Sequence, residues 1–162
     1  WGAPFDEFPE SGWDKVMDIN VKSLFLLTQQ RAPMMRASAT PEQPAKVINI
    51  ASTDGLSNSR IETYSYSASK AAVIHLTRRL ANRLAEDNIR VNAIAPGAFA
   101  SNMNIWARDN PEGVAPRIPA KRIGKPDDIA GTAVYMCSRA GDFLLGATIP
   151  LDGGTVYGTL QG

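Results

Sequence analysis

A tyrosine and a lysine four positions apart, Tyr66 and Lys70, are the residues of this sequence whose types and spacing favour proton transfer. On a helix, residues at i and i+4 lie on one face, so the two side chains can reach each other or a shared ligand. A phenol with a pKa near ~10 is a poor acid or base at neutral pH. A positive charge about 4 Å away, at an effective dielectric of about 20, favours the phenolate by roughly 4 kcal/mol, or about 3 pKa units. The spacing therefore predicts that Lys70 lowers the pKa of Tyr66.

Ser52 lies fourteen residues before Tyr66 and directly follows an apolar run. A serine at the carboxyl end of a strand can hold a substrate carbonyl while the phenol protonates it. Tyr64 is a poorer partner for Lys70, because an offset of six residues points it away on a helix. Without Ser52, the pair is more simply explained as exposed side chains on a helix surface. Ser52 alone would be an ordinary turn residue.

The elements that position these residues alternate between helix and strand. A helix is predicted after Ser11, which is a suitable N-cap. Apolar periodicity, β-rich runs and Pro/Gly boundaries predict the other elements. The predicted helices are 13–36, 65–87 and one that begins at Pro126, and the predicted strands are 46–51, 89–95 and 146–151. This order is typical of an α/β fold with a doubly wound parallel sheet. Ligands bind such sheets at the carboxyl ends of the strands, where Ser52 and the Pro96-Gly97 pair should lie.

Composition excludes several classes of function. The chain has 162 residues, 44% of them hydrophobic, with 17 Lys and Arg against 16 Asp and Glu, and it has no basic block. This favours one globular domain over a disordered chain and argues against nucleic-acid binding. No apolar run approaches the ~18 residues of a membrane span. Cys137 is the single cysteine and cannot form an internal disulfide, so we expect a cytoplasmic protein.

Five segments, in this order, resemble the signatures of the short-chain dehydrogenase/reductase family. They are Asp18-Ile19-Asn20-Val21, Ile48-Asn49-Ile50-Ala51-Ser52, Tyr66-Ser67-Ala68-Ser69-Lys70, Val91-Asn92-Ala93-Ile94-Ala95-Pro96-Gly97 and Leu151-Asp152-Gly153-Gly154. The resemblance covers essentially the whole chain. Within the family, it is strongest to the 3-oxoacyl reductases of the rhamnolipid-synthesis type.

The resemblance implies a role for each matching residue. Tyr66 would be the general acid/base, Ser52 would orient the substrate oxygen, and Lys70 would lower the Tyr66 pKa and bind the nicotinamide ribose. Asn20 would hold a water that links Lys70 to solvent. The segment that wraps the nicotinamide end would comprise Pro96, Gly97, Phe99 and Ser101, with Ser101 replacing the common threonine. Ala51 stands where many relatives have a second serine.

The resemblance also implies an NAD or NADP cofactor, but the sequence contains no glycine-rich dinucleotide turn such as G-x-G-x-x-G. We therefore expect residues 1–162 to be the later part of one Rossmann-type domain whose first strands and phosphate-binding loop precede Trp1. The residue that would distinguish NAD from NADP would lie in that earlier part, and NADP is slightly favoured.

Other features have simpler explanations. His75 has no Cys or acid at metal-ligand spacing, so we predict no metal site. Cys137 is expected to be a small buried side chain. Residues 98–123 are predicted to form either a substrate lid, as in the family, or an ordinary surface loop. Basic residues in this segment would suit an acidic carrier protein or a coenzyme A phosphate.

Two hypotheses of function follow. The first is an oxidoreductase that transfers hydride between NAD(P)(H) and a carbonyl or secondary alcohol, with a 3-oxoacyl thioester as the expected substrate and another small ketone, polyol or steroid as the alternative. Nucleotide-sugar epimerases of the extended family branch share the tyrosine–lysine pair, but they carry a longer substrate domain after the sheet, so the sequence favours the short-chain type. The second is a non-catalytic remnant or interaction module. Broad apolar faces on helices 13–36 and 65–87 suggest a homodimer or homotetramer, unless missing neighbouring elements cover them.

Overall fold

The computed structural model describes residues 2–58 and 61–158. Its centre is a parallel sheet of three strands in the order β1-β2-β3. They are β1 (Ala45–Ile50), β2 (Ile89–Pro96) and β3 (Thr148–Leu151). Strands β1 and β2 pair from Ala45 opposite Ile89 to Ile50 opposite Ile94. Strands β2 and β3 pair from Ala93 opposite Thr148 to Pro96 opposite Leu151. The predicted α/β class with a parallel, Rossmann-type sheet is confirmed.

The described residues form six α-helices. They are α1 (Glu10–Met17), α2 (Ser23–Ser38), α3 (Tyr64–Leu84), α4 (Ile105–Asp109), α5 (Pro111–Val114) and α6 (Pro126–Cys137). The helix predicted over 13–36 is divided, because a π-helical turn (Asp18–Lys22) separates α1 from α2. Helix α1 also begins before the predicted cap Ser11, with Pro9 at the N-cap position. None of the described helices is long and apolar enough to cross a membrane.

Side chains alternate between the two faces of the sheet, as the period of a strand requires. One face packs its apolar residues against α2 and α3, and this core includes Val73, Ala81, Ile89, Val91 and Ala93. The other face carries polar ties to the segment after α6. Helices α2 and α3 therefore cover one face, and most of β2 is buried, including the polar Asn92.

Two residues on that second face hold the chain between α6 and β3. Lys46 donates to the Asp142 carboxylate at 2.6 Å. The buried Asn92 side chain donates to the Leu144 carbonyl at 3.0 Å and accepts from the Ala147 amide at 2.9 Å. These contacts bring β3 beside β2 and so complete the sheet edge at which the candidate site lies.

Candidate active site

The carboxyl ends of β1 and β2 meet at one edge of the sheet. Beyond the end of β1, the Ala51 amide still donates to the Ile94 carbonyl at 2.7 Å. Two residues later, the Thr53 hydroxyl donates to the Pro96 carbonyl at 3.4 Å. The chain after β1 is therefore tied to the end of β2, and Ser52 lies between these two ties.

Ser52 is buried, with 7% of its surface exposed. It is the N-cap of a 3₁₀ turn (Thr53–Gly55), and its Oγ accepts a hydrogen bond from the Asp54 amide at 3.2 Å. A serine oxygen accepts two hydrogen bonds and donates one. The turn thus holds the Ser52 oxygen in place and leaves its O–H able to act on another group.

Tyr66 lies in the first turn of α3, and its phenol lies close enough to the Ser52 side chain for the serine to affect its pKa. Burial raises the pKa of Tyr66 above its ordinary value and is the largest effect. The Ser52 side chain opposes this by lowering the pKa, and the negative charge of Asp54 raises it further. The structure thus brings Ser52 close to Tyr66 and favours the protonated phenol.

Lys70 lies on the same face of α3, with its Nζ 5.4 Å from the centre of the Tyr66 ring. Nζ donates to the Ile50 carbonyl at 2.9 Å. Burial is the largest effect on the pKa of Tyr66, and the lowering of that pKa by Lys70 stays a prediction. Burial also lowers the pKa of Lys70.

Asn20 reaches α3 from the π-helical turn. Its Nδ2 donates to the Ser69 hydroxyl at 2.9 Å, and that hydroxyl donates to the Tyr66 carbonyl at 2.7 Å. A π-helical turn inserts one extra residue into a helix and is frequent at functional sites. Asn20 is thus linked to the backbone of Tyr66 through Ser69, whereas the expected water relay to Lys70 stays a prediction.

Gly97 and Phe99 pack closely against neighbouring segments. The Gly97 amide donates to the Leu151 carbonyl at 3.0 Å, and a Cβ on Gly97 would lie 2.8 Å from the Cβ of Asp152. Since real Cβ atoms do not approach so closely, the turn after Pro96 needs glycine. The Phe99 ring covers Gly124, where a Cβ would lie only 2.3 Å from the ring. Their predicted cofactor contacts stay predictions.

Ser101 lies on an exposed loop and accepts a hydrogen bond from the Asn104 amide at 3.0 Å. Within the described residues it has no recorded bond to Ser52, Tyr66 or Lys70. The surrounding segment 98–123 is more ordered than predicted, because it contains α4, α5 and a 3₁₀ turn (Ala115–Arg117). Its substrate-lid role stays a prediction.

Three neighbours of the site carry no prediction from the sequence. Ser69 joins Asn20 to Tyr66, and Asp54 follows the serine. Gly55 packs on α3 so tightly that a Cβ would lie 2.6 Å from the carbonyl carbon of Lys70. The Asp-Gly pair is a turn signal that could have indicated the 3₁₀ turn. Contact of that turn with Lys70 depends on how α3 packs.

Cys137 and His75 lie apart from these contacts. Cys137 is exposed, so the prediction of a buried side chain was wrong. It ends α6 on the side away from the core, where the neighbouring Met136 is buried instead. His75 is exposed on α3. In residues 2–58 and 61–158, no three His, Cys, Asp or Glu side chains are grouped to hold a metal ion.

The fold is a parallel α/β sheet of the Rossmann type, with Ser52, Tyr66 and Lys70 at the carboxyl edge of its strands. The family described as Enoyl-(Acyl carrier protein) reductase matches residues 1–156. The chain belongs to this family of short-chain dehydrogenases/reductases.

Two similar proteins show how much of a relative this chain covers. The rhamnolipids biosynthesis 3-oxoacyl-[acyl-carrier-protein] reductase of Pseudomonas aeruginosa is 43% identical over 157 residues, which are 95% of this chain and 61% of the relative. The 2-dehydro-3-deoxy-D-gluconate 5-dehydrogenase of Dickeya dadantii is 44% identical over 151 residues, which are 91% of this chain and 58% of the relative. The chain thus spans about 60% of the length of these relatives.

Solved structures of similar proteins have the same fold and are covered to a similar extent. The Pseudomonas aeruginosa RhlG/NADP active-site complex superimposes with a TM-score of 0.91 at 43% identity, covering 96% of this chain and 62% of that one. A gluconate 5-dehydrogenase from Burkholderia cenocepacia in complex with NADP and tartrate has a TM-score of 0.88 at 31% identity, covering 98% and 62%.

Proposed function

We propose that the protein to which this chain belongs is an NAD(P)-dependent oxidoreductase that interconverts a carbonyl and a secondary alcohol. The observation that carries this proposal is the position of the Tyr66 phenol, which is close enough to the Ser52 side chain for it to lower the pKa of the phenol and has the Lys70 ammonium beside its ring. Two of the similar solved structures, the RhlG complex and the gluconate 5-dehydrogenase, are NADP complexes, and this supports NADP over NAD as the cofactor.

The residues divide the chemistry between them. Ser52, held by the Asp54 amide, donates its O–H to the substrate carbonyl oxygen and orients it towards Tyr66. In the direction of reduction, Tyr66 starts as the neutral phenol, since burial raises its pKa, and gives its proton to that same oxygen. In the direction of oxidation, the phenolate takes the proton back. The bound nicotinamide supplies or accepts the hydride at the carbonyl carbon.

Lys70 fits the nicotinamide ribose. An ammonium has three N–H donors, and one of them is used at the Ile50 carbonyl. In the described residues no second hydrogen-bond partner of Nζ is recorded, so donors remain for sugar hydroxyls. Pro96 and Gly97, at the carboxyl end of β2, and Phe99 would border the nicotinamide end. Asn20 would steady this arrangement through Ser69.

The test compares two tyrosines of one helix turn, in the protein as expressed from its own gene. Tyr66→Phe should lower kcat by roughly 100- to 10,000-fold, because it removes the group that transfers the proton, while NADPH binding stays nearly unchanged. Tyr64→Phe is the matched control, since Tyr64 is exposed and bonds to Glu62 instead. Normal turnover by the Tyr66→Phe enzyme would overturn the proposal.

The names of the relatives contain two kinds of substrate. One is a 3-oxoacyl group on an acyl carrier protein, which agrees with the substrate expected from the sequence, and the other is an oxidised sugar acid. Both are ketones and both suit the Ser52–Tyr66 pair. The proposed substrates therefore come from one or both of these classes of ketone.

Assembly as a homodimer or homotetramer is part of the same proposal. Helix α2 exposes a set of large apolar side chains, namely Phe25, Leu26, Leu27 and Met34. Exposed apolar surface of this extent on one helix is typical of a surface that another chain or segment covers. Cytoplasmic location stays a prediction.

A further inference from the structure

Asp54 lies beside Ser52 in the candidate site, and the proposed proton transfer uses its side chain neither as donor nor as acceptor. It is the second residue of the 3₁₀ turn that follows Ser52, and its amide donates to the Ser52 Oγ at 3.2 Å. At Gly55, the same turn packs closely against the backbone of Lys70. The turn is therefore held at both ends, and Asp54 stays next to the serine that orients the substrate oxygen.

The carboxylate of Asp54 lacks a partner in the described part of the chain. The other half-buried acids have donors: Asp87 pairs with Arg36, Asp128 with Arg122, Asp142 with Lys46, and Asp152 accepts from the amides of Gly154 and Val156. Buried polar groups are normally hydrogen-bonded, because an unsatisfied one loses its hydration without compensation. A half-buried carboxylate without a donor is therefore suited to a donor from a ligand.

The chemistry of a carboxylate limits that ligand. An ionised carboxylate only accepts hydrogen bonds, so it attracts an O–H group and repels carbonyl oxygens and anions. A 3-oxoacyl thioester has alkyl carbons and a second carbonyl beside the reacting ketone, and none of these can donate. A hydroxylated ketone has an O–H at this position.

We propose that Asp54 binds a substrate hydroxyl group adjacent to the reacting carbonyl, and that this narrows the two substrate classes named above to hydroxy ketones and keto-polyols. This inference rests on the proposed function, since it assumes that the carbonyl lies between Ser52 and Tyr66. Burial raises the pKa of Asp54, and a hydroxyl that donates to the charged form would counteract that effect.

The experiment uses two ketones that differ by one hydroxyl, acetoin and 2-butanone, with ethyl acetoacetate as the 3-oxoacyl probe. The enzyme as expressed from its own gene should reduce acetoin with a kcat/KM roughly 10- to 100-fold above that for 2-butanone, the range for a hydrogen bond to a charged group. Ethyl acetoacetate should be no better than 2-butanone. A ratio of acetoin to 2-butanone near one in the unaltered enzyme would overturn the inference without any variant.

Asp54→Ala should reduce that ratio to within a few-fold of one, and Asp54→Asn, which keeps one oxygen acceptor, should give an intermediate ratio. Glu62→Gln is the control, because Glu62 is an exposed acid near Tyr64 and should leave the ratio unchanged. An unchanged ratio in both Asp54 variants contradicts the inference. The proposed function is judged separately, by whether Tyr66→Phe abolishes the reduction of all three ketones.

Discussion

At the scale of single residues, the protonation of Tyr66 depends on three neighbouring effects. Burial raises its pKa most, the Ser52 side chain lowers it, and the charge of Asp54 raises it. The charged group on the same helix, Lys70, lies 5.4 Å from the ring centre and bonds elsewhere. A phenol in this environment favours its protonated form.

This environment predicts opposite pH profiles for the two directions of reaction. Because the pKa of Tyr66 is raised, kcat/KM for reduction should stay level through neutral pH and fall only as the pH rises through that pKa. Oxidation needs the phenolate, so it should increase with pH over the same range. In Asp54→Asn, the loss of the negative charge should move both profiles to lower pH. Steady-state rates of both directions from neutral to alkaline pH would test this, and identical profiles in the two directions would contradict it.

Gly55 provides a second prediction at this scale. In Gly55→Ala, the new Cβ would lie 2.6 Å from the carbonyl carbon of Lys70 and 2.8 Å from the amide nitrogen of Ala71, and these backbone atoms cannot move aside cheaply. The 3₁₀ turn must then shift away from α3, which should cost roughly 1–3 kcal/mol in the free energy of unfolding and displace Ser52 from Tyr66.

The control for Gly55 is a glycine with open space around it. A Cβ added at Gly131 in α6 would have no heavy atom within 4 Å, so Gly131→Ala should raise stability by roughly 0.5–1 kcal/mol. Urea unfolding and kcat should separate the two variants. Equal stability and activity of Gly55→Ala and the unaltered protein would show that the turn has more space than the structure indicates.

At the scale of elements, buried polar contacts hold α3 on the sheet. The Asn49 amide donates to the Thr77 hydroxyl at 2.9 Å, and Thr77 donates to the Val73 carbonyl at 2.8 Å. Asn49 belongs to β1, which ends two residues before Ser52, and Thr77 belongs to the helix that carries Tyr66. This link therefore couples the serine and the tyrosine through the elements on which they lie.

Helix α6 begins with an acid whose environment predicts a pH-dependent contribution to stability. Asp128 accepts from Arg122 at 2.6 and 2.9 Å and from the Lys125 amide at 2.7 Å, and these contacts lower its pKa from 3.8 to about 2. A lowered folded-state pKa stabilises the fold above the unfolded value, and this contribution is lost as the pH falls from 3.8 to about 2.

Asp128→Asn should therefore lower the Tm at neutral pH, and the difference from the unaltered protein should disappear as the pH approaches about 2. The adjacent and exposed Asp127 is the control, because the structure records no side-chain contact for it and Asp127→Asn should change the Tm less. Thermal unfolding between neutral pH and a pH of about 2 measures both variants. A difference that persists unchanged at low pH would exclude this origin.

At the scale of the whole molecule, the chain spans about 60% of its relatives, and its surface is consistent with further contacts. Among the described strands, β1 pairs only with β2, so its other edge is open, and Ile50 at its end is 47% exposed. An open, unprotected strand edge favours association with other chains. Apolar side chains on α2 are exposed as well.

We therefore expect the 162-residue polypeptide expressed by itself to unfold without a sharp cooperative transition and to bind NADPH more weakly than micromolar. The physical reasons are the open edge of β1 and the lack of a glycine-rich turn for the pyrophosphate. Differential scanning calorimetry and isothermal titration calorimetry would measure both properties, with the Pseudomonas aeruginosa relative, of which this chain covers 61%, as the reference. A cooperative transition together with micromolar affinity would contradict this expectation.

The local pattern of the sequence by itself determined the order of the elements and the proximity of Tyr66 and Lys70. Hydrophobic periodicity depends on near neighbours in the chain, and a helix places residues i and i+4 on one face wherever it packs. The β-rich runs before Ser52 and Pro96 indicated parallel strands, so both residues were expected at one edge of the sheet, where the structure places them.

Only the tertiary structure decided the contacts that depend on distant segments. The first long helix is divided by a π-helical turn that contains Asn20, and Asn20 bonds to Ser69, 49 residues further along the chain. Gly55 likewise packs on Lys70 in the following helix. The pKa of Tyr66 is the clearest case. Spacing along the helix favoured phenolate, but burial is a property of the assembled fold, and it is the largest effect and raises the pKa.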